Sequence, residues 1–170
     1  MPKLFVAIGL PAAATAALER IQPPPSAGIR LAEQNQMHLT LHYLGEADVE
    51  SIAVALEVLA FQRFSLTLEG VGQFPSSGGA VTLWAGVREN ADLLGLRTAV
   101  AAALAESGFR PEARRYAPHI TLARCEPGGG DRSDGRVPGA ASGVPHRRRS
   151  SRRLWVVLQH LGRGGPGVSV

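Results

Sequence analysis

The chain has 170 residues, of which 45% are apolar and 19% are charged, and its formal net charge is +4. This size suits one domain with a real hydrophobic core. A single cysteine, Cys125, excludes a disulfide framework and a zinc cluster built on thiols, so we expect a reducing cytoplasm as the compartment. No apolar run approaches the roughly 18 residues of a membrane-spanning helix, so we expect no membrane association.

The positive charge belongs to the last quarter of the chain. Residues 1–126 contain ten Lys and Arg against twelve Asp and Glu, a net charge of −2. Residues 127–170 contain eight Arg against two Asp, a net charge of +6. The charge balance therefore does not make the whole domain basic.

The first half of the chain alternates strand and helix patterns. The apolar run 4–10 predicts a buried strand, and the alanine-rich run 12–21 predicts a short helix that is ended by three prolines. Residues 37–44 alternate apolar and polar and predict a strand that stops at Gly45. Residues 48–60 predict a helix with an acidic first turn.

The second half has a similar order. Residues 64–71 and 81–87 predict strands separated by a Ser- and Gly-rich turn. Residues 91–107 predict a helix with Gly108 as its C-cap, and residues 118–124 predict a last strand. Helices mixed with turn-linked strands favour an α+β fold with a largely antiparallel sheet.

The pattern His-x-Thr-Leu occurs twice, beginning at His38 and at His119, and both copies lie in predicted strands. The strand period of two places each His and its Thr on one face, about 7 Å apart. Two imidazoles that converge on one cleft can act as general acid and general base, and two hydroxyls can bind the oxygens of an anion. This set suits displacement at a phosphate diester without a metal. Zinc binding is the rival interpretation, but neither motif contains Asp or Glu.

These residues resemble the 2H phosphoesterases, and most closely the RNA 2′,3′-cyclic phosphodiesterases, which are also called 2′-5′ RNA ligases. The resemblance covers roughly residues 3–126 and includes the stretches 4–8, 38–45, 70–75, 83–87 and 116–124. It implies a bilobal, pseudo-symmetric α+β fold with two antiparallel sheets around a central cleft and helices outside. Each lobe then places one His-x-Thr strand on the cleft.

The resemblance also implies a role for each site residue. His38 is the proton donor to the departing ribose oxygen, and His119 is the proton acceptor that activates water. Thr40 and Thr121 hold the non-bridging phosphate oxygens, and Arg124 contacts the phosphate. The assignment of acid and base to the two histidines stays open, because coupled groups can exchange roles with reaction direction.

The resemblance further implies hydrolysis of RNA 2′,3′-cyclic phosphate ends to 2′-phosphates, with reversible 2′-5′ ligation as a related reaction. We expect no cofactor, no metal and a monomer that binds short RNA ends. Two alternatives stay open: a non-catalytic protein that binds RNA ends, and a 2H enzyme for another cyclic or 2′-5′-linked nucleotide. Turnover of a cyclic phosphate distinguishes the first, and a substrate panel distinguishes the second.

Other residues receive structural interpretations. We expect His42 to be structural or solvated, although it shares the face of His38. Tyr43 and Trp84 are expected in the core. Cys125 is expected to be inert. Three arginines are candidates for steering RNA, with ordinary surface charge as the equal alternative: Arg30, Arg114 and Arg115.

The tail 127–170 is rich in Arg, Gly and Pro and lacks periodicity, apart from residues 154–158, which could form a strand. The resemblance ends at residue 126, so we expect a domain 1–126 that lacks its final sheet strand, followed by a poorly ordered tail. A one-base shift of permitted codons for residues 154–160 encodes Phe-Gly-Leu-Tyr-Ser-Ser-Thr, which is similar to the family's ending. We therefore favour a frameshift between about residues 126 and 137 over a genuine basic RNA-binding tail.

Overall fold

The computed structural model describes residues 3–62, 64–110, 112 and 115–127, together with the backbone of 148–149, 154–159 and 168–169. Three helices of eight residues or more and ten strands lie in these ranges. In chain order they are β1 (Lys3–Gly9), α1 (Ala12–Glu19), β2 (Ile29–Leu31), β3 (His38–Glu46), α2 (Val49–Glu57), β4 (Ser65–Leu66), β5 (Leu68–Pro75), β6 (Val81–Val87), α3 (Ala91–Leu104), β7 (His119–Cys125), β8 (Arg148–Arg149), β9 (Leu154–Gln159) and β10 (Val168–Ser169).

An antiparallel sheet runs through the described residues in the order β10–β9–β1–β3–β7–β6–β5, and β2 also pairs with β7. β4 and β8 form a separate two-stranded ribbon. The predicted α+β class is confirmed. The two sheets that were expected around the cleft are joined into one, because Leu39 on β3 pairs with Ile120 on β7.

The helices bury one face against this sheet. Helix α3 buries leucines and a valine at helical spacing, Leu93, Leu96, Val100 and Leu104. Asn90 caps its start by accepting a hydrogen bond from the backbone N–H of Leu93, and Asp48 caps α2 in the same way from Ser51. Gly108, with φ of 78°, lies in the left-handed conformation expected of a helix C-cap.

The structure differs from the sequence prediction at two places along the chain. The predicted strand 64–71 is divided into β4 and β5, and β5 continues to Pro75 despite its glycines. Gly72 belongs in this strand because a side chain there would overlap the indole of Trp84 on the neighbouring β6. The short strand β2, with three residues, was not predicted.

No helix in the described ranges has the length and hydropathy needed to cross a bilayer.

The tail contributes backbone to the sheet. β9 pairs with β1 from Lys3 opposite Gln159 to Ile8 opposite Leu154. β9 includes residues 154–158, the stretch of the tail for which the sequence allowed a strand, and this apolar run can pair with the edge of β1. Residues 128–147, 150–153 and 160–167 lie outside the described residues, so the domain boundary at 126 and the frameshift stay predictions.

Candidate active site

Each His-x-Thr motif begins a central strand, β3 or β7. The first five residues of the two strands have the same burial pattern. The histidine and the threonine are partly exposed, and the residue between them and the two residues after them are buried. The predicted pairing of each His with its Thr on one face is therefore found in both lobes. The residue between the histidine and the threonine faces the core in each motif, and both of these residues, Leu39 and Ile120, are fully buried.

A β-bulge follows each motif at the same place. Val6 pairs with His42 and Ala7 with Thr40, which leaves Leu41 without a partner on β1. On the other side, Leu83 pairs with Ala123 and Trp84 with Thr121, which leaves Leu122 without a partner on β6. A bulge shifts the alternation of side chains by one residue. Residues after each bulge therefore change face.

The bulges decide which later side chains reach the cleft. With strict alternation Arg124 would lie on the core face with Ile120 and Leu122. The bulge at Leu122 instead returns it to the face of Thr121, and Arg124 is exposed and lines the cleft. Tyr43 is placed in the same way after the bulge at Leu41. The prediction that Tyr43 lies in the core is wrong, because 42% of it is exposed.

Four of the five predicted site residues line one cleft of about 540 Å³. Its walls include Thr40, His119, Thr121 and Arg124. His38 does not line the cleft itself but lies partly buried beside it, with its ring stacked on Phe5 at 4.6 Å between centroids. Both His119 and Arg124 are near enough for their charges to act on His38.

A hydrogen bond to the backbone just before β7 orients the imidazole of His119. Nδ1 lies 2.8 Å from the carbonyl oxygen of Ala117, and since a carbonyl only accepts, Nδ1 carries the proton. Nε2 of the neutral ring then has a free lone pair, as a general base requires. Phe74 packs edge-on against this ring at 4.8 Å, and Trp84 lies 6.2 Å away between ring centroids.

His38 has a parallel contact and a strongly altered proton affinity. Its ring is hydrogen-bonded to the backbone of Gln36, two residues earlier, as His119 is to Ala117. The pKa of His38 is lowered from 6.5 to about 4, mainly by burial, with a smaller lowering by the charges of His119 and Arg124 and an opposing rise from the Gln36 bond. His38 is therefore neutral at pH 7 when the cleft holds no anion.

Beyond the paired residue Leu39, three side-chain hydrogen bonds join β3 to α3 and to the segment before β7. The Tyr116 hydroxyl donates to the carbonyl of Thr40 at 2.9 Å, and Nε of Arg97 donates to the carbonyl of Leu41 at 3.2 Å. His42 is 4% exposed and bonds through Nε2 to the carbonyl of Arg97 at 2.8 Å, which agrees with its predicted structural role. The motifs alone did not indicate Arg97 or Tyr116 as cleft residues.

The remaining candidates have varied positions. Arg115 lies on the cleft, and Arg30 forms an exposed ion pair with Glu126 at 3.6 Å. Trp84 is partly buried, and burial raises the pKa of the Cys125 thiol. Arg114 lies outside the described residues. Within the described ranges, no group of three or more His, Cys, Asp or Glu is arranged to hold a metal ion.

Residues 10–128 match the family model described as the 2′-5′ RNA ligase superfamily. The chain is similar to the RNA 2′,3′-cyclic phosphodiesterase of Escherichia coli K12, with 36% identity over 130 residues that make up 72% of this chain and 71% of the relative. The protein of the same name from Methanocaldococcus jannaschii is 32% identical over 72% of this chain and 70% of the relative. The match to the one from Archaeoglobus fulgidus is 36% identical but spans 57% of this chain and 56% of the relative.

Solved structures match the fold over nearly the whole chain. The structure of Escherichia coli LigT complexed with 3′-AMP has a TM-score of 0.69 and 26% identity, covering 99% of this chain and 94% of LigT. The structure of TT0787 from Thermus thermophilus has a TM-score of 0.71 and 27% identity, covering 99% of this chain and 93% of TT0787.

Proposed function

Since this chain belongs to the 2′-5′ RNA ligase superfamily, we propose that it hydrolyses RNA 2′,3′-cyclic phosphate ends to 2′-phosphomonoesters. The observation that carries the proposal is the meeting of both His-x-Thr strands at one cleft. Relatives at 32% and 36% identity over more than two thirds of their length bear the name RNA 2′,3′-cyclic phosphodiesterase. Reversible 2′-5′ ligation would use the same groups in the reverse direction.

In the proposed reaction, water attacks the phosphorus and the bond to the 3′ oxygen breaks. Nε2 of His119 takes the proton from water, for which its Nδ1 bond to Ala117 presets the tautomer. The hydroxyls of Thr40 and Thr121 and the guanidinium of Arg124 bind the non-bridging oxygens as their charge grows. The phosphate stays on the 2′ oxygen.

His38 is proposed to protonate the departing 3′ oxygen. A neutral imidazole cannot do this, so binding of the substrate must raise its pKa. The bound diester is an anion, and it offsets the charge of Arg124 that lowers the pKa of His38. Binding of the substrate then also leads to protonation of His38.

The test is hydrolysis of an oligoribonucleotide with a 2′,3′-cyclic phosphate end, with EDTA present, on the full chain. Formation of a 2′-phosphate end is expected. Binding without turnover would favour the non-catalytic alternative, whereas turnover of only another cyclic or 2′-5′-linked nucleotide in a parallel panel would reassign the substrate. Loss of activity in EDTA that Zn²⁺ restores would contradict the metal-free mechanism.

We also propose a monomer in a reducing cytoplasm. One chain carries both motifs and the cleft between them, so a second copy is not needed to complete the site. The frameshift within the tail is likewise our proposal. Sequencing the gene tests it, because the frame one base downstream must encode Phe-Gly-Leu-Tyr-Ser-Ser-Thr at residues 154–160. Size-exclusion chromatography with light scattering tests the monomer.

A further inference from the structure

Arg97 is a cation of the cleft that belongs to neither motif. It projects from α3, and its side chain is held at two points. Nε donates to the carbonyl of Leu41 at 3.2 Å, and the guanidinium carbon lies 4.4 Å from the centroid of the Tyr116 ring. Tyr116 is in turn fixed by its hydrogen bond to Thr40 at 2.9 Å. The guanidinium is therefore positioned before any ligand binds.

Among the described residues, no salt bridge joins Arg97 to a carboxylate. The ion pairs within the described ranges join Arg30 to Glu126 and Arg88 to Glu69. Around the cleft, the described residues supply three arginines, Arg97, Arg115 and Arg124, against one carboxylate, Glu112. A partly buried guanidinium that is held by one carbonyl and one aromatic ring in such a cleft is well suited to bind an anion.

Arg97 and Arg124 lie close to different residues of β3. The charge of Arg124 acts on His38, whereas that of Arg97 acts on His42. The carbonyl that Arg97 binds belongs to Leu41, three residues after His38 and thus roughly 10 Å along the strand. The reacting phosphate already has Arg124 and both motif threonines, so Arg97 is available to a second anion.

We infer that Arg97 binds a second phosphate of the RNA, the phosphodiester on the 5′ side of the nucleotide that carries the cyclic phosphate. This inference rests on the proposed function and narrows its substrate class. The cleft then prefers oligoribonucleotide ends to nucleoside 2′,3′-cyclic phosphates, which have no such second phosphate. The two Nη atoms of Arg97 can bind two oxygens of that phosphate at once.

The test compares two substrates, adenosine 2′,3′-cyclic phosphate and the dinucleotide ApA with the same cyclic end. The wild-type chain should have the higher kcat/KM for the dinucleotide. Arg97→Met keeps an unbranched side chain at this position but removes the charge. It should lower kcat/KM at least about tenfold for the dinucleotide and by a clearly smaller factor for the mononucleotide. Arg97→Lys should restore part of the difference.

Arg88→Met is the matched control, because Arg88 is exposed and pairs with Glu69 outside the cleft. It should leave the ratio of the two kcat/KM values unchanged. An equal fall for both substrates in Arg97→Met would show that Arg97 only supports the fold, and no fall for either substrate would place the second phosphate elsewhere. Either result overturns the inference.

A wild-type chain without turnover would contradict the proposed function but not yet the subsite. The inference is then decided by titration with adenosine 2′-phosphate and with ApA carrying a 2′-phosphate. Arg97→Met must weaken binding of the dinucleotide at least about tenfold more than binding of the mononucleotide. Equal weakening of the two would overturn the second-phosphate site.

Discussion

Tyr43 on β3 and Arg124 on β7 occupy equivalent positions in the two lobes. Each lies five residues after the histidine of its motif, each follows a bulge, and each lines the cleft. The pseudo-symmetry of the backbone thus presents different chemistry from the two sides. One lobe offers an aromatic ring, and the other offers a cation.

This asymmetry predicts a role for the Tyr43 ring in substrate binding. An exposed ring in a nucleotide cleft can stack on a base, and such stacking contributes about 1–3 kcal/mol per base. Tyr43→Ala should therefore raise KM for a cyclic nucleotide about fivefold or more, while Tyr43→Phe should stay near wild type. Steady-state kinetics with both variants measures this. An unchanged KM in Tyr43→Ala would show that the ring does not contact the base.

The two histidines should contribute far more than their neighbours to the chemical step. We expect His38→Ala and His119→Ala each to lower kcat by at least about 100-fold, since each removes one proton-transfer group. Thr121→Val removes one donor to the phosphate and should also lower kcat/KM. Arg88→Gln is the control outside the cleft. Single-turnover hydrolysis of a cyclic-phosphate RNA measures these effects, and near-wild-type turnover in either histidine variant would contradict the assignment.

The low pKa of His38 predicts a specific acid instability. Its pKa falls from 6.5 to about 4 on folding because the ring is buried, so between these values the unfolded chain binds the proton and the folded chain does not. Stability should therefore fall as the pH is lowered from about 6.5 to about 4, and this contribution should vanish above pH 6.5. We expect the Tm of His38→Gln to depend less on pH in that window than the Tm of wild type.

The measurement is thermal unfolding of both proteins between pH 7.5 and pH 4.5, in buffers without phosphate, because an anion in the cleft would raise the pKa of His38. His42 is also buried with a lowered pKa, so His42→Gln serves to separate its share. Parallel Tm curves for wild type and His38→Gln would mean that the folded and unfolded pKa values of His38 are equal.

The sequence predicts the strands that carry chemistry well, because apolar alternation and the repeated motif are local signals. For the same reason it predicts that each histidine shares a face with its threonine. It misplaces Tyr43, because a strict period of two cannot foresee a bulge at Leu41 that is defined by pairing with β1. Arg97 was also missed, since its place in the cleft depends on the packing of α3 against β3, a contact between residues 56 positions apart.

Two glycines provide a matched test of packing beside His119. A Cβ at Gly72 would overlap the Trp84 indole, which contacts Phe74 and lies near His119, so the ring must move toward the site or β5 must shift. We expect Gly72→Ala to destabilise the fold by about 1–3 kcal/mol, as overpacking does, and to lower kcat. Urea unfolding and hydrolysis of a cyclic-phosphate RNA measure the two effects.

Gly95→Ala is the control for the same substitution in open space. Gly95 lies inside α3, and nothing stands within 4 Å of the Cβ that alanine would add. Alanine there reduces the conformational entropy of the unfolded chain and should stabilise the fold by about 0.5–1 kcal/mol without changing kcat. If both glycine variants shifted stability in the same direction, contact with Trp84 would not be the reason that β5 needs glycine at position 72.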